Sequence, residues 1–331
     1  MPPRTVLVVG NGFTIDFMAS AGLTGAWPPS SPLSWDVATH DGRDVRTCLP
    51  ALFSEVEAVR ADDPSLTDFG VIDEVVRRAA ARQAAADAMA WPLGRDEGWA
   101  AAKLETEARH FLGLAYSAVD AALRTGGDLE RWRWYRYIEA LGPDCLLAVV
   151  SFNYETLLEQ TLDRAGIPFF HCGVEPLAGL PVGKPHGSVD YALAENVIKA
   201  GEPDYPINIV VSLANAPMRR LAPSELARPR LHVEVVPPLA ATRIRAFQWV
   251  RPIFDVLARL SPSIERCVFL GISAWGVDQP ELCDVLRALT PGTEIVVANP
   301  DRRPRLVLEF HARRLGLTRV AWWPNGPPAV S

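Results

Sequence analysis

Short, uninterrupted apolar runs recur along the chain, and the segments between them carry apolar residues at helical spacing. The first run is Thr5–Val9, and the second covers residues 145–151. Later strands are predicted at 207–211, 267–271, 294–298 and 318–322, and helices at 154–165, 243–260, 279–289 and 303–315. Apolar runs without polar alternation are typical of parallel strands that are covered on both faces. The alternation of strands and helices therefore predicts an α/β fold with a Rossmann-like, mostly parallel sheet.

More than 130 residues separate the first two predicted strands, and most of them have a different character. From about residue 64 to 141, alanine, arginine and glutamate dominate, with breaks at 92–94 and 126–127, which predicts three or four helices. This segment is far longer than an ordinary crossover between parallel strands. We therefore predict a Rossmann-like domain formed by 1–20 and 142–325, a mainly helical insertion at 21–141, and a tail at 326–331.

One face of the predicted insertion is apolar at near-helical spacing. Its residues are Val75, Val76, Leu104, Phe111, Leu112, Leu114, Ala115, Val119 and Leu123. This face either packs against the chain's own α/β domain or contributes to an interface with a second copy or a partner. At the end of the insertion, Trp132 and Trp134 stand beside Arg131, Arg133 and Arg136. Aromatic and arginine-rich patches of this type are enriched at interfaces and would add to such an interface, although packing against the chain's own domain is the simpler explanation.

Charge and cysteine content narrow the class of protein. The 331 residues carry a net charge of −6 with a pI of about 5.6, which gives no support for a dedicated nucleic-acid binder. The first residues do not resemble a signal peptide, and no apolar run approaches the ~18 residues of a membrane span. We therefore expect a cytoplasmic protein without membrane attachment. The five cysteines are scattered and form no C-x-x-C pair, so we expect free thiols and no metal.

Two short polar motifs follow the first two predicted strands. The turn GNGFT (10–14) has small residues that would let backbone N–H groups approach a pyrophosphate, although Ile15 replaces the third glycine of G-x-G-x-x-G. The same turn can simply connect a strand to a helix. In SFNYE (151–155), Asn153 can bond a ribose hydroxyl or hold a water, or it can cap a helix that starts at Tyr154.

Two further motifs come later in the chain. In KPHGS (184–188), His186 lies on a constrained loop, where a neutral imidazole can accept a proton from a ribose hydroxyl or from water, or can be plain surface polarity. LGIS (270–273) ends a predicted strand shortly before Asp278, and VANP (297–300) places Asn299 after the next strand. Ligands of open α/β sheets bind outside the carboxyl ends of the strands, so the four motifs together favour a binding site.

The ordered set of motifs resembles the sirtuin-like family. That family is marked by a glycine turn with a hydroxyl residue, an Asn-x-Asp segment after a strand, a His-Gly pair, a Gly-x-Ser and a late Asn. The combination found here is most similar to the bacterial anti-phage defence branch, which contains NAD-cleaving effectors of abortive infection. The resemblance covers both ends and the middle of the chain but not the insertion. The C-x-x-C pairs that hold zinc in the family's protein deacylases are absent from this sequence.

The resemblance implies a Rossmann-like site that takes NAD as substrate, with Asn153 and His186 matching the family's catalytic residues. The NAD-binding residues that it implies are Gly10, Asn11, Gly12, Phe13, Thr14, Glu155, Gly271, Ser273, Asp278 and Asn299. Glu155 stands where sirtuins usually carry Asp. The implied activity is NAD glycohydrolase in anti-phage defence, without a metal, in a homo-oligomer controlled by a separate sensor or activator protein. Two alternatives are an NAD-dependent protein deacylase and a non-catalytic nucleotide-sensing or assembly subunit.

Overall fold

The chain divides into two compact units. The computed structural model describes residues 2–28, 31–89, 95–194, 217–228, 230, 233–236, 247–273 and 278–328. The first unit consists of Met1–Leu23, Ala122–Gly187 and Ile244–Ser331, and the second of Thr24–Ala121 and Ser188–Arg243. This division differs from the predicted insertion at 21–141, because 122–141 belongs to the first unit and 188–243 to the second. Gly326, the first residue of the predicted tail, likewise belongs to the first unit.

Most of the predicted elements are present, with bounds shifted by a few residues. The strands are β1 (Thr5–Val9), β2 (Leu146–Ser151), β3 (Phe169–His171), β4 (Leu180–Gly183), β5 (Tyr191–Leu193), β6 (Met218–Arg220), β7 (Arg266–Leu270), β8 (Glu294–Ala298) and β9 (Val320–Trp322). The helices are α1 (Asn11–Ser20), α2 (Val45–Cys48), α3 (Pro50–Asp62), α4 (Asp68–Ala88), α5 (Arg95–Thr125), α6 (Arg133–Cys145), α7 (Leu157–Arg164), α8 (Arg251–Leu260), α9 (Gln279–Arg287) and α10 (Arg302–Arg314). The predicted strand at 207–211 and the start of the helix predicted at 243–260 lie outside the described residues.

The first unit contains a seven-stranded parallel sheet flanked by helices, which confirms the predicted Rossmann-like α/β fold. Its strand order is β3-β4-β2-β1-β7-β8-β9, and every neighbouring pair is parallel. The central strand β1 is buried at every residue and pairs with β2 on one side and with β7 on the other. The chain therefore builds the sheet outward from β1 in two directions. The carboxyl ends of β1 and β7 form the switch point at which such sheets bind ligands.

Helix α6 belongs to the first unit because it buries its aromatic face there. The helix packs against β2, and Trp134 and Ile138 are buried. Trp132, just before the helix, is also buried, and its ring centroid lies 4.5 Å from that of Phe13 and 5.1 Å from that of Phe17. The prediction that the two tryptophans form an interface patch is therefore wrong, because both rings are already used inside the first unit.

The second unit is mainly helical, with a small antiparallel sheet formed by β5 and β6. Every residue of the apolar face predicted for the insertion is buried within the chain, so this face is not an exposed partner surface. The segment after 188 joins this unit through polar contacts that sequence periodicity does not reveal. Arg109 Nε donates to the carbonyl oxygens of Val233 and Val235, at 3.0 Å each, and the Ser188 N–H donates to the Glu234 carbonyl oxygen at 3.0 Å.

Two further observations concern the cysteines and the membrane-spanning potential of the helices. All five cysteines are free thiols, and four of them are buried, whereas Cys283 is partly exposed. Over the described ranges, no helix combines the length and the apolar character needed to cross a membrane.

Candidate functional site

The turns that follow β1 and β7 touch each other through their backbones. The Gly10 N–H donates to the Leu270 carbonyl oxygen, and the Gly12 N–H donates to the Gly271 carbonyl oxygen, both at 2.9 Å. A Cβ atom on Gly12 would lie only 2.5 Å from the Gly271 Cα, and Gly271 itself has a φ of +62°. The glycines are therefore required by the close approach of two loops. These two N–H groups already donate to carbonyl oxygens, so Gly10 and Gly12 do not offer them to a phosphate, and any other phosphate contact of these residues stays a prediction.

An open pocket of about 900 Å³ lies at this switch point in the first unit. The predicted NAD-binding residues that line it are Asn11, Gly12, Gly271, Ser273 and Asn299. The Asn299 side chain also joins two loops, since its Nδ2 donates to the Ile272 carbonyl oxygen at 2.8 Å and its Oδ1 accepts from the Asp301 N–H at 2.9 Å. The pocket thus brings together five predicted residues from the ends of β1, β7 and β8.

One wall of this pocket consists of residues that the sequence analysis did not assign to a site. Arg133 forms an ion pair with Asp16 and donates to the Asn325 carbonyl oxygen, and all three residues line the pocket. Trp132 Nε1 donates to Asp16 Oδ2 at 2.7 Å. The arginine-rich motif around residue 133 was a visible signal, and Arg133 is the arginine of that motif that lines the pocket.

A second group of predicted residues forms a buried cluster where β1 and β2 end. Asn153 Nδ2 donates to Thr14 Oγ1 at 3.1 Å and to Glu155 Oε1 at 3.2 Å, and the Thr14 hydroxyl donates to the same Glu155 oxygen. The other carboxylate oxygen, Glu155 Oε2, is buried and has no hydrogen-bond partner among the described residues. The three side chains are at most 6% exposed. An unbonded buried oxygen is costly, so it marks a place where a ligand hydroxyl could bind.

The backbone around this cluster corrects the helix-capping alternative for Asn153. Helix α7 begins at Leu157 and not at Tyr154, so Asn153 is not its N-cap residue. The side chain of Asn153 bonds to Thr14 and Glu155, which come from α1 and from the segment between β2 and α7. The amide therefore serves the polar cluster and not the helix.

Burial governs the ionisation of Glu155. Removal from water raises the pKa of its carboxyl group, and the positive charge of Lys184 and the hydrogen bond from Thr14 act in the opposite direction. Burial is the largest of these effects, so the pKa of Glu155 lies above its ordinary value.

His186 lies in the loop after β4 and is 4% exposed. Its Nε2 is 3.6 Å from Asp278 Oδ1, and its ring packs against the edge of Phe152 with a centroid distance of 5.2 Å. Burial lowers the pKa of His186 to about 4 and raises that of Asp278 to about 6. At neutral pH the imidazole is therefore uncharged and can accept a proton. Asp278 was expected to contact NAD, but the structure places it beside this histidine.

Phe13 was predicted to bind NAD, but the structure places its side chain in the core. The ring is fully buried against Trp132, and the N–H of Phe13 donates to the Gly10 carbonyl oxygen at 3.0 Å. The sequence pattern did not reveal this because an aromatic residue in a glycine turn can face either solvent or the core.

Comparison with known proteins adds no assignment for this site. No family model matches the chain, and no curated protein matches it. Among the described residues, no three His, Cys, Asp or Glu side chains are grouped so that they could hold a metal ion.

His186 and Asp278 should make opposite contributions to stability on acidification. The folded pKa of His186 lies below its usual 6.5, so the native state loses stability as pH falls from 6.5 towards 4. The folded pKa of Asp278 lies above its usual 3.8, so the native state gains stability as pH falls from about 6 towards 3.8. Between pH 6.5 and pH 4.5 we expect His186→Gln to reduce the acid-induced loss of stability by about 2 kcal/mol, and Asp278→Asn to increase it by a similar amount.

Urea unfolding of wild type and both variants at pH 6.5 and pH 4.5 measures these changes. His40 is exposed, so His40→Gln is the matched control and should follow the wild-type pH dependence. If all the variants lose the same free energy of unfolding as wild type, the two buried groups do not have the ionisation described above.

Proposed function

We propose that this chain is an NAD glycohydrolase, which cleaves NAD to nicotinamide and ADP-ribose, and that it serves as an abortive-infection effector in bacterial anti-phage defence. The observation that carries the proposal is the buried cluster of Thr14, Asn153 and Glu155 at the ends of β1 and β2, with one carboxylate oxygen left unbonded. Such a set of groups suits a sugar with two adjacent hydroxyls. The resemblance to the sirtuin-like family supports the same substrate.

The reaction breaks the bond between ribose C1′ and the nicotinamide nitrogen. The bonding electron pair goes to that nitrogen, which becomes neutral, and positive charge develops on the ribose as in other glycoside cleavages. The oxygen of one water molecule then bonds to C1′ and releases a proton. In this scheme the Asn153 amide and the free Glu155 Oε2 hold the ribose hydroxyls, and the Glu155 negative charge favours the developing cation.

His186 is the group that we propose takes up the proton from water. A general base must be uncharged at working pH and must have a nitrogen free to accept. Burial lowers the pKa of His186 to about 4, which keeps the imidazole uncharged at working pH but also makes it a weak base, and its Nε2 has no hydrogen-bond partner among the described residues. Asp278, with its Oδ1 3.6 Å from that nitrogen, would stabilise the imidazolium once the proton has moved.

The open pocket at the switch point suits the adenosine half of the substrate. Its volume of about 900 Å³ is within the range of small-molecule sites, roughly 300–1,000 Å³, and it includes Gly12 of the same α1 helix that carries Thr14. Ser273 and Asn299 are the polar groups expected toward ribose and adenine. An NADase in a living cell needs restraint, so we propose that a homo-oligomer and a separate sensor or activator protein control it.

Incubation of the purified chain with NAD tests this function, with products resolved by chromatography. We expect nicotinamide and ADP-ribose in equal amounts, either from the chain alone or after the products of neighbouring genes are added. Asn153→Ala is the matched control and should release neither. Removal of an acyl group from an acyl-lysine peptide in place of net NAD hydrolysis would instead identify a deacylase. Tight NAD binding without cleavage under any of these conditions would identify a non-catalytic sensor.

A further inference from the structure

Lys184 is a fully buried lysine directly beneath the polar cluster. It follows β4, and its side chain is 0% exposed. Its Nζ donates to the main-chain carbonyl oxygen of Glu155 at 2.7 Å and lies 3.1 Å from Glu159 Oε1. Burying an ammonium group is costly unless it is paired and hydrogen-bonded, so these contacts account for its presence. They also place its positive charge at the residue that offers the free carboxylate oxygen.

The charges around Lys184 show what it compensates. Glu155 and Glu159 are both buried, and without Lys184 two carboxylates would share one apolar region. His171 Nε2 lies 3.3 Å from Glu159 Oε1 and faces that carboxylate from β3. Burial raises the pKa of Glu155 and the charge of Glu159 adds to that rise, whereas the positive charge of Lys184 lowers the pKa. The positive charge of Lys184 thus favours the ionised form of the Glu155 carboxyl group.

We propose that Lys184 is a positioning residue that acts through Glu155: its ammonium group holds the main chain at Glu155 and compensates the negative charge of the Glu155 side chain. Asn153 and Glu155 lie on one short segment between β2 and α7, so fixing the carbonyl group of Glu155 fixes both side chains. The expected effect of Lys184 on kcat rests on the NAD glycohydrolase function proposed above. The action of Lys184 on the Glu155 main chain and side chain does not depend on that function.

Lys184→Met removes the charge and keeps the length of the side chain. We expect kcat for NAD cleavage to fall by about 10²-fold with KM little changed, because small misplacements of catalytic groups have effects of this size. If Lys184 acts on the Glu155 side chain as well as on its main chain, Lys184→Met should slow the Glu155→Gln background by clearly less than 10²-fold, because only the hold on the main chain, and through it on Asn153, remains to be lost. A merely structural lysine would instead slow both backgrounds by the same factor, and that result would overturn the proposal.

Glu159→Gln is the matched control, because it removes the other carboxylate but leaves Lys184 in contact with Glu155. It should retain most of the kcat. Lys184→Met can leave Glu159 uncompensated and prevent folding, so Lys184→Met/Glu159→Gln is the charge-balanced variant that carries the same test. Recovery of wild-type kcat in this double variant would show that Lys184 serves only Glu159 and would overturn the proposal. If neither Lys184→Met nor Lys184→Met/Glu159→Gln folds, Lys184 is required for folding, and this result would likewise overturn the proposal.

Infrared spectroscopy of protein with ¹³C-labelled glutamate gives a readout that does not need activity. The difference spectrum between each parent and its Glu155→Gln partner isolates the Glu155 carboxyl group. We expect a carboxylate in wild type and in Glu159→Gln at neutral pH, and a protonated acid in Lys184→Met/Glu159→Gln. A carboxylate in all three would overturn the action of Lys184 on Glu155. Absence of NAD cleavage by wild type, with the expected infrared change, would refute the proposed function and leave this inference standing.

Discussion

Asn153→Ala and His186→Ala are each expected to lower NAD cleavage by about 10²–10⁴-fold while the fold survives. Asn153 donates to both Thr14 and Glu155, and its removal leaves the Thr14–Glu155 hydrogen bond in place, so the cluster should persist without its amide. His186→Ala removes the proposed proton acceptor and leaves the carboxyl group of Asp278 without a neighbouring imidazole. Nicotinamide release, measured by chromatography under activating conditions, gives the rates.

His40→Ala is the control for loss of a histidine, because His40 is exposed and belongs to the second unit. It should cleave NAD at the wild-type rate. Circular dichroism and thermal unfolding of all three variants verify that they are folded. Turnover close to wild type in either Asn153→Ala or His186→Ala would remove that residue from the chemistry.

Gly271→Ala is expected to destabilise the first unit by about 3–4 kcal/mol, because two costs combine at this position. Its φ of +62° is unfavourable for alanine, and the new Cβ would lie 2.5 Å from the Gly12 Cα and from the Phe13 nitrogen. Both of those atoms belong to backbone, so neither can move aside without displacing the start of α1. The free energy of unfolding from urea titrations measures the effect.

Gly166→Ala separates the two costs. Gly166 has a similar φ of +67°, but no atom lies within 4 Å of the position of its Cβ. Only the conformational cost applies there, so we expect a loss of about 1–2 kcal/mol. Equal losses for the two variants would mean that the contact between the turns after β1 and β7 is not tight.

The Asn153 and Gly271 variants test two features of the structure, of which the first could be predicted from the sequence and the second could not. Placing Asn153, Thr14 and Glu155 in one site required only that β1 and β2 end at the same edge of a parallel sheet. The bond from Asn153 to Thr14 and the late start of α7 at Leu157 agree with the site but exclude the capping role. The contact between Gly12 and Gly271 could not be predicted, because it depends on β7 being the neighbour of β1.

The sequence by itself determined β1, β2, β7, β8 and β9 of the first unit and the edge where its polar motifs meet, but it did not predict the short strands β3 and β4. Apolar runs report burial on both faces, and β1, β2, β7 and β8 are placed by that local signal alone. Only the tertiary structure decided which partners the polar and aromatic residues find. Lys184 became the buried partner of Glu155, and Trp132 became core against Phe13. Periodicity encodes whether a side chain is buried, whereas its partners depend on strand order and on contacts between residues far apart in the chain.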